Sequence, residues 1–321
     1  MHVWRSLAEF VTPPRGLVLS IGNFDGVHRG HQRLLEEAGA RGRRLGAPVA
    51  AMTFDPHPLA IVAPERTPPA LTTLDEKLAL LQRAGAEHVL VLHSEQHLLR
   101  ETAEEFLQQV VARCRPRALV EGPDFHFGRG RSGNVDTLAQ FAGRWSYELH
   151  VVPEVHCDEL PARPAISSSA VRDALRKGGR VHEARALLGR PYRIVGVVGH
   201  GEARGRQLGF PTTNLEQIPH LLPEPAVYAA VAQTQAGTLH LAAVNVGPQP
   251  TFGQQKVRVE AHLLGFDGEL HGERLGLHFL TRLRSQVRFA DAGELVAQLR
   301  RDVAATEALA QRVGDVWGIP L

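Results

Sequence analysis

The hydrophobic pattern of this chain changes period once, just after Leu187-Leu188-Gly189-Arg190-Pro191, and that change limits the folds open to it. Before it, short apolar runs at 17–21, 49–54, 89–92 and 118–120 alternate with stretches 32–44, 74–84, 102–112 and 135–143, whose apolar residues recur at helical spacing. Short runs of this kind read as buried strands, and their alternation with amphipathic helices builds a parallel sheet covered on both faces. Ligands on such sheets sit beyond the carboxyl ends of the strands. After the change, runs at 194–198, 227–233, 239–246, 257–264 and 275–279 are punctuated by Gly and Pro, with no long helix before Asp291. That pattern predicts an antiparallel barrel or sandwich. Residues 292–313 place Leu295, Leu299, Val303 and Leu309 at helical spacing, a helix to pack on it. A length of 321 residues exceeds what one core usually organises, so two domains are expected, 1–187 and 188–321.

Composition narrows the function classes. Lys and Arg number 36 against 34 Asp and Glu, and no basic cluster forms a stripe, so no nucleic-acid partner is expected. The slight basic excess suits phosphorylated small molecules. The two cysteines, Cys114 and Cys157, form neither a disulfide framework nor a metal-ligand spacing. No apolar run has the length of a signal peptide or a membrane span. The expectation is a cytoplasmic protein, a monomer or weak homo-oligomer, with no membrane partner.

Two stretches carry chemistry. The first, Ile21-Gly22-Asn23-Phe24-Asp25-Gly26-Val27-His28-Arg29-Gly30-His31, joins the first strand to the first helix. Its glycines let backbone approach a ligand, and a helix N-terminus offers free N–H groups to phosphate. His28 and His31 can both face that phosphate and donate to oxygens whose charge grows in a transition state. The bland alternative is a surface turn with two incidental histidines. The second runs from Gly196 to Asn214, with Gly199, Gly201, Gly205 and Arg206 able to cradle phosphates. It is no Walker loop, since no G-K-[ST] follows. In an extended strand Thr212 and Asn214 face one side, and their neutral oxygens suit Mg2+ that shares charge with ATP. The alternative here is a glycine-rich hairpin with no ligand.

The first stretch resembles the H-x-G-H signature of nucleotidyltransferases, and its longer run is similar to the prokaryotic bifunctional riboflavin kinase/FAD synthetase family. Three more segments match in order. They are Thr53-Phe54-Asp55-Pro56-His57-Pro58, Gly122-Pro123-Asp124-Phe125-His126-Phe127-Gly128-Arg129-Gly130-Arg131-Ser132-Gly133, and Ile166-Ser167-Ser168-Ser169-Ala170-Val171-Arg172. Asp55 stands where Glu is usual and His126 where Arg is usual, while Ser169 keeps a hydroxyl. In the second half, the stretch ending Phe210-Pro211-Thr212-Thr213-Asn214 resembles the riboflavin kinase signature. Val244-Asn245-Val246-Gly247-Pro248-Gln249-Pro250-Thr251-Phe252-Gly253 and Val259-Glu260-Ala261-His262-Leu263-Leu264-Gly265-Phe266-Asp267-Gly268 follow in family order. Gly265, His271, Gln286 and Ala226 depart from the usual Asp, Tyr, Glu and Gly.

The resemblance implies a Rossmann-like α/β nucleotidyltransferase domain, then a six-stranded antiparallel barrel with a C-terminal helix. It implies ATP-dependent phosphorylation of riboflavin to FMN and adenylylation of FMN to FAD with loss of pyrophosphate. Glu260 is implied as the kinase base, Thr212 and Asn214 as the Mg2+ ligands, and His28 and His31 as the transferase catalysts. Gly22, Asn23, Phe24, Gly30, Ser167, Ser168, Arg172, Gly199, Gly201, Gly205, Arg206 and Phe210 fall to nucleotide binding. Phe54, Asp124, Phe125, Phe127, Arg131 and Arg284 fall to flavin binding. Read singly, the phenylalanines suit core packing as well as an isoalloxazine wall, Ser167 and Ser168 suit a helix cap, and Glu260 suits a solvated strand face. Two rival readings are an adenylyltransferase or aminoacyl-tRNA synthetase with another acceptor, and a non-catalytic flavin sensor. The absence of a K-M-S-K-S-like motif counts against the synthetase, and the joint presence of His28, His31, Thr212, Asn214 and Glu260 counts against the sensor.

Overall fold

The structure, a computed structural model, describes residues 1–94, 96–199, 209–248 and 257–313. The chain divides into two compact units, Met1–His156 and Cys157–Leu321.

The first unit has strands β1 (His2–Trp4), β2 (Leu17–Ile21), β3 (Val49–Phe54), β4 (His88–Leu92), β5 (Pro116–Glu121) and β6 (Glu148–Val151). Its helices are α1 (Arg29–Leu45), α2 (Leu59–Val62), α3 (Leu74–Arg83), α4 (Gln96–Arg100), α5 (Ala103–Cys114) and α6 (Val135–Trp145). All pairings are parallel, in the order β1-β4-β3-β2-β5-β6. Alternate residues of each strand feed two cores. Leu17, Leu19, Ile21, Met52 and Leu90 pack with α5 on one face, and Val18, Val49, Ala51, Val89 and Val120 with α1 and α3 on the other. Helices α3, α5 and α6 begin in capping boxes, Thr73 with Glu76, Thr102 with Glu105 and Asn134 with Thr137, which fixes their start points. The chain leaves β2 toward β3 on one side and reaches β5 on the other. The switch point of the sheet therefore lies between the ends of β2 and β5, where open α/β sheets take ligands.

The second unit opens with α7 (Ser168–Arg176) and α8 (Val181–Leu188) and continues through β7 (Tyr192–Gly199), β8 (Thr213–Glu216), β9 (Ala226–Gln233), β10 (Leu239–Pro248), β11 (Val257–Leu263), β12 (Arg274–Arg284) and α9 (Ala292–Val313). The six strands close into an antiparallel barrel in the order β10-β11-β8-β7-β12-β9. Along β11, Val259, Ala261 and Leu263 are buried while Arg258, Glu260 and His262 are half-buried on the outer face. Tyr192, Phe279 and Tyr228 fill the inside; the Tyr228 ring meets Phe279 edge-on at 5.2 Å.

This unit begins well before the change of pattern at residue 188. Val181, Ala184, Leu187 and Leu188 of α8 are buried, and the helix packs on β7 and β12. The Glu224 amide donates to the Leu175 carbonyl at 2.9 Å, tying α7 to the loop before β9. The amphipathic faces of the helices, invisible to a change in strand pattern, give 157–187 to the barrel.

Candidate active sites

On the parallel sheet, the first site grows from the turn after β2. The imidazole of His28 caps α1: its Nδ1 accepts the His31 backbone N–H at 3.3 Å, so a neutral His28 ring carries its proton on Nε2. The His31 ring stacks on it, centroids 3.6 Å apart and planes 18° from parallel. The first turn of α1 holds no acidic residue of its own, which suits its positive dipole end to a phosphate. Gly30 lies in that turn. Gly22 follows β2, and the amide of Asn23 meets His57 Nε2 at 3.2 Å. Phe24 and Val27 hold left-handed φ angles of 49° and 38°, costly for a β-branched residue. The Phe24 ring is buried in the core, so at most the backbone of this residue is left to a nucleotide.

The Asp25 carboxylate keeps that strained turn in place. It accepts the Leu71 N–H at 3.0 and 3.1 Å, the Thr72 N–H at 3.2 Å and the Thr72 hydroxyl at 3.3 Å. Between β5 and α6, Phe125 and Phe127 stack at 5.3 Å. Phe127 is buried in the core, whereas Phe54 and Phe125 are half-buried against it, which leaves those two faces as the candidate ring walls. Asp124 and Arg131 are exposed, and an Arg131 Nη2 reaches His126 Nδ1 at 3.3 Å. Ser167 caps α7 by accepting the Ala170 N–H at 3.1 Å; its own hydroxyl proton remains a donor. Ser167, Ser168 and Arg172 belong to the second unit.

The barrel brings its candidates into one row. Gly199 pairs with Asn214, Asn214 with Glu260, Glu260 with Asn245, Asn245 with Val227, and Val227 with Arg284. Residues directly opposite share a sheet face, so these side chains point the same way. Arg258 Nη1 donates to Glu260 Oε1 at 3.3 Å. Gln286 Nε2 donates to Asn245 Oδ1 at 3.0 Å and to the Val246 carbonyl at 3.2 Å. His262 Nδ1 donates to the Pro211 carbonyl at 2.7 Å, with its ring edge-on to Phe210, and so anchors the segment that carries Thr212. Arg284 stands on the row, yet its guanidinium forms a two-pronged pair with buried Asp302 of α9, at 2.9 and 2.7 Å. Gly201, Gly205 and Arg206 lie outside the described residues.

The donor set fits a magnesium ion on one observation. Asn214 is 6% exposed, and its side-chain oxygen is buried with no hydrogen-bond partner among the described residues. A buried orphan acceptor beside the exposed Thr212 costs free energy unless a cation or donor meets it. Sequence reasoning assigned no role to Asn245, Arg258, His262, Asp25 or Lys77. Asn245 and His262 lay within quoted motifs, and Lys77 sits at the i+3 position from Leu74 on the stripe that includes Leu81, a signal of burial.

The fold defines the class: a nucleotidyltransferase-type α/β domain followed by a closed six-stranded barrel and a C-terminal helix. The FAD synthetase family model matches residues 11–170 and the riboflavin kinase family model residues 188–310. The bifunctional riboflavin kinase/FMN adenylyltransferase of Pseudomonas fluorescens is 37% identical over 312 residues, 97% of this chain and 98% of its own. The protein of that name from Escherichia coli K12 is 36% identical over 292 residues, 90% and 91% of the two chains. A crystal structure of a macrolide-efflux protein from Streptococcus pneumoniae superposes with TM-score 0.85 at 30% identity, covering 95% of this chain and 98% of that one. Among the described residues, no helix is long and apolar enough to cross a membrane. The chain belongs to the bifunctional riboflavin kinase/FMN adenylyltransferase family.

Proposed function

We infer that this chain is an enzyme that phosphorylates riboflavin to FMN in its barrel and adenylylates FMN to FAD on its α/β unit, with ATP as co-substrate of both steps. The observation that carries the reading is the division of two family matches between two architectures of one chain.

In the kinase step the ribityl hydroxyl oxygen attacks the γ-phosphorus, ADP leaves, and the hydroxyl proton passes to Glu260. Phosphoryl transfer needs an oriented nucleophile more than covalent help, which a half-buried carboxylate steadied by Arg258 supplies. Thr212 and Asn214 would hold Mg2+, which when bound neutralises charge on the ATP phosphates. Gly199, Gly201, Gly205, Arg206 and Phe210 are the proposed nucleotide contacts of this step, and Arg284 its flavin contact.

In the adenylylation step an FMN phosphate oxygen attacks the α-phosphorus and pyrophosphate leaves. The Nε2–H of His28, the His31 ring and the N-terminus of α1 face that growing charge. Gly22, Asn23, Gly30 and the backbone of Phe24 are proposed to shape the ATP pocket, and Ser167, Ser168 and Arg172 are proposed as nucleotide-binding residues on the strength of their motif. Phe54 and Phe125 are proposed on the isoalloxazine side with Asp124 and Arg131, while Phe127, packed in the core, backs the Phe125 ring. The near balance of charge supports a cytoplasmic enzyme of small molecules, a monomer or weak homo-oligomer with no nucleic-acid or membrane partner.

The purified protein is tested with riboflavin, ATP and Mg2+, and products are followed by chromatography. FMN should appear first, then FAD with equimolar pyrophosphate. A preparation that makes FMN and never FAD would sink the assignment of the α/β unit.

A further inference from the structure

Lys77 is one of the few buried charged side chains among the described residues, 8% exposed on the inner face of α3, and nothing in the reactions above uses it. Its surroundings join two loops of the adenylylation site. The ammonium donates to Thr53 Oγ1 at 3.5 Å, and the Thr53 hydroxyl donates to the Asn23 carbonyl at 3.1 Å. Thr53 belongs to the strand that leads into Asp55-Pro56-His57-Pro58, and Asn23 to the turn that leads into His28. Two carboxylates, Asp25 of the turn and Asp55 of the second loop, draw the ammonium toward its charged form, while burial pulls its pKa below the ordinary lysine value, burial being the largest influence. The same α3 is capped by Thr73, the residue after Thr72, whose amide and hydroxyl are held by Asp25.

A buried cation needs compensation, and here the nearby charges of Asp55 and of Asp25, which also restrains the left-handed turn, supply it beside the Thr53 hydrogen bond. Phe24 and Val27, at φ 49° and 38°, flank that carboxylate. Strained conformations of this sort persist only where their surroundings over-determine them. We propose that Lys77 is a positioning residue for adenylyl transfer: through Asp25 and the Thr53–Asn23 link it fixes the turn that aims His28 and His31 at the triphosphate. It touches no reacting atom. Its part is to keep the stacked imidazoles and the α1 N-terminus in register with the loop at Asp55.

The inference rests on the proposed adenylylation site, and the parent protein serves as the control that separates the two. Failure of the parent to turn FMN into FAD defeats that reading; an active parent with an indifferent Lys77 defeats only this one. Lys77→Met and Lys77→Arg are made in the full chain, and kcat and KM for FMN adenylylation are measured beside riboflavin phosphorylation and thermal unfolding. Misplacement of about 1 Å commonly costs about a hundredfold in rate. Lys77→Met should therefore lose about a hundredfold in kcat, with KM for ATP within about threefold and FMN production unchanged. Lys77→Arg, which keeps the charge, should recover to within about tenfold of the parent. Should Lys77→Met fail to fold, Lys77→Gln, which removes the charge and keeps a hydrogen-bond donor, is measured instead, and the same loss is expected. A methionine or glutamine variant within threefold of the parent kcat overturns the proposal. So does an arginine variant as impaired as the methionine one, because then volume and not charge is at stake.

Discussion

At the scale of single residues, the two chemistries should come apart under substitution. His31 stacks on the imidazole that caps α1, and Glu260 stands on a barrel strand between Asn214 and Asn245. Loss of one donor to a developing oxyanion costs about a hundred- to a thousandfold, and loss of a general base about two to four decades. His31→Ala should therefore suppress FAD formation from added FMN by that order while riboflavin phosphorylation persists. Glu260→Gln keeps the shape, loses the basicity, and should do the reverse. Both variants are assayed with riboflavin and with FMN as separate substrates. Parental FAD synthesis by the first, or parental FMN synthesis by the second, removes that residue from its role. The two motifs were legible beforehand, because H-x-G-H between a strand and a helix and T-x-N at the start of a strand are local patterns. Lys77 lies on the inward stripe of α3, yet which groups it meets was decided only when the helix docked against Thr53.

Among the elements, β2 and β5 meet at the switch point of the sheet, and a side chain completes their junction. The Glu121 carboxyl, at the end of β5, accepts the Ile21 N–H at 2.7 Å, so a side chain meets the last amide of β2. Full burial, the largest influence, pushes its pKa well above the ordinary glutamate value against the pull of that hydrogen bond, with Asp124 pushing it further up. The folded protein thus holds a proton that the unfolded chain releases once pH passes the ordinary glutamate range. Stability from this group is whole below that range and falls as pH rises toward the raised folded value. Glu121→Gln retains an oxygen acceptor and cannot ionise. Its unfolding midpoint for the first unit, measured in urea, should match the parent near pH 4 and exceed it near pH 8. Midpoints that move in parallel across that range would exclude Glu121 as the titrating group. Most element types and approximate bounds followed from hydrophobic period. The short edge strands β1 and β6 did not, being three and four residues long and held by their neighbours rather than by pattern.

For the whole molecule, the helices before the barrel decide where it can be cut. Val181, Ala184 and Leu187 are buried, and α8 covers β7 and β12. Removing aliphatic side chains from such a face forfeits about 1.5–3 kcal/mol each, and each kcal/mol moves the midpoint by several degrees in a domain of this size. A fragment 157–321 should unfold cooperatively and phosphorylate riboflavin. A fragment 188–321 should melt at least about 10 °C lower. Calorimetry on both decides it: equal midpoints would mean that the helix pair adds nothing to the barrel. A well-folded 157–321 without kinase activity would mean that FMN formation needs the first unit.

Hydrophobic period and turn residues were enough for a parallel α/β domain and an antiparallel barrel or sandwich, because they depend on neighbours within one strand, turn or helix. The choice of a barrel, the family and its pair of reactions came from the resemblance that the dense motifs carry. The row from Gly199 through Asn214, Glu260 and Asn245 to Arg284 was out of reach, since register across six strands is set by closure of the barrel. The same holds for Arg284, whose fork is drawn to Asp302, and for Lys77 and Glu121, whose charge states follow from burial. Burial and cross-strand pairing are properties of the packed chain, decided only when distant segments close around a side chain.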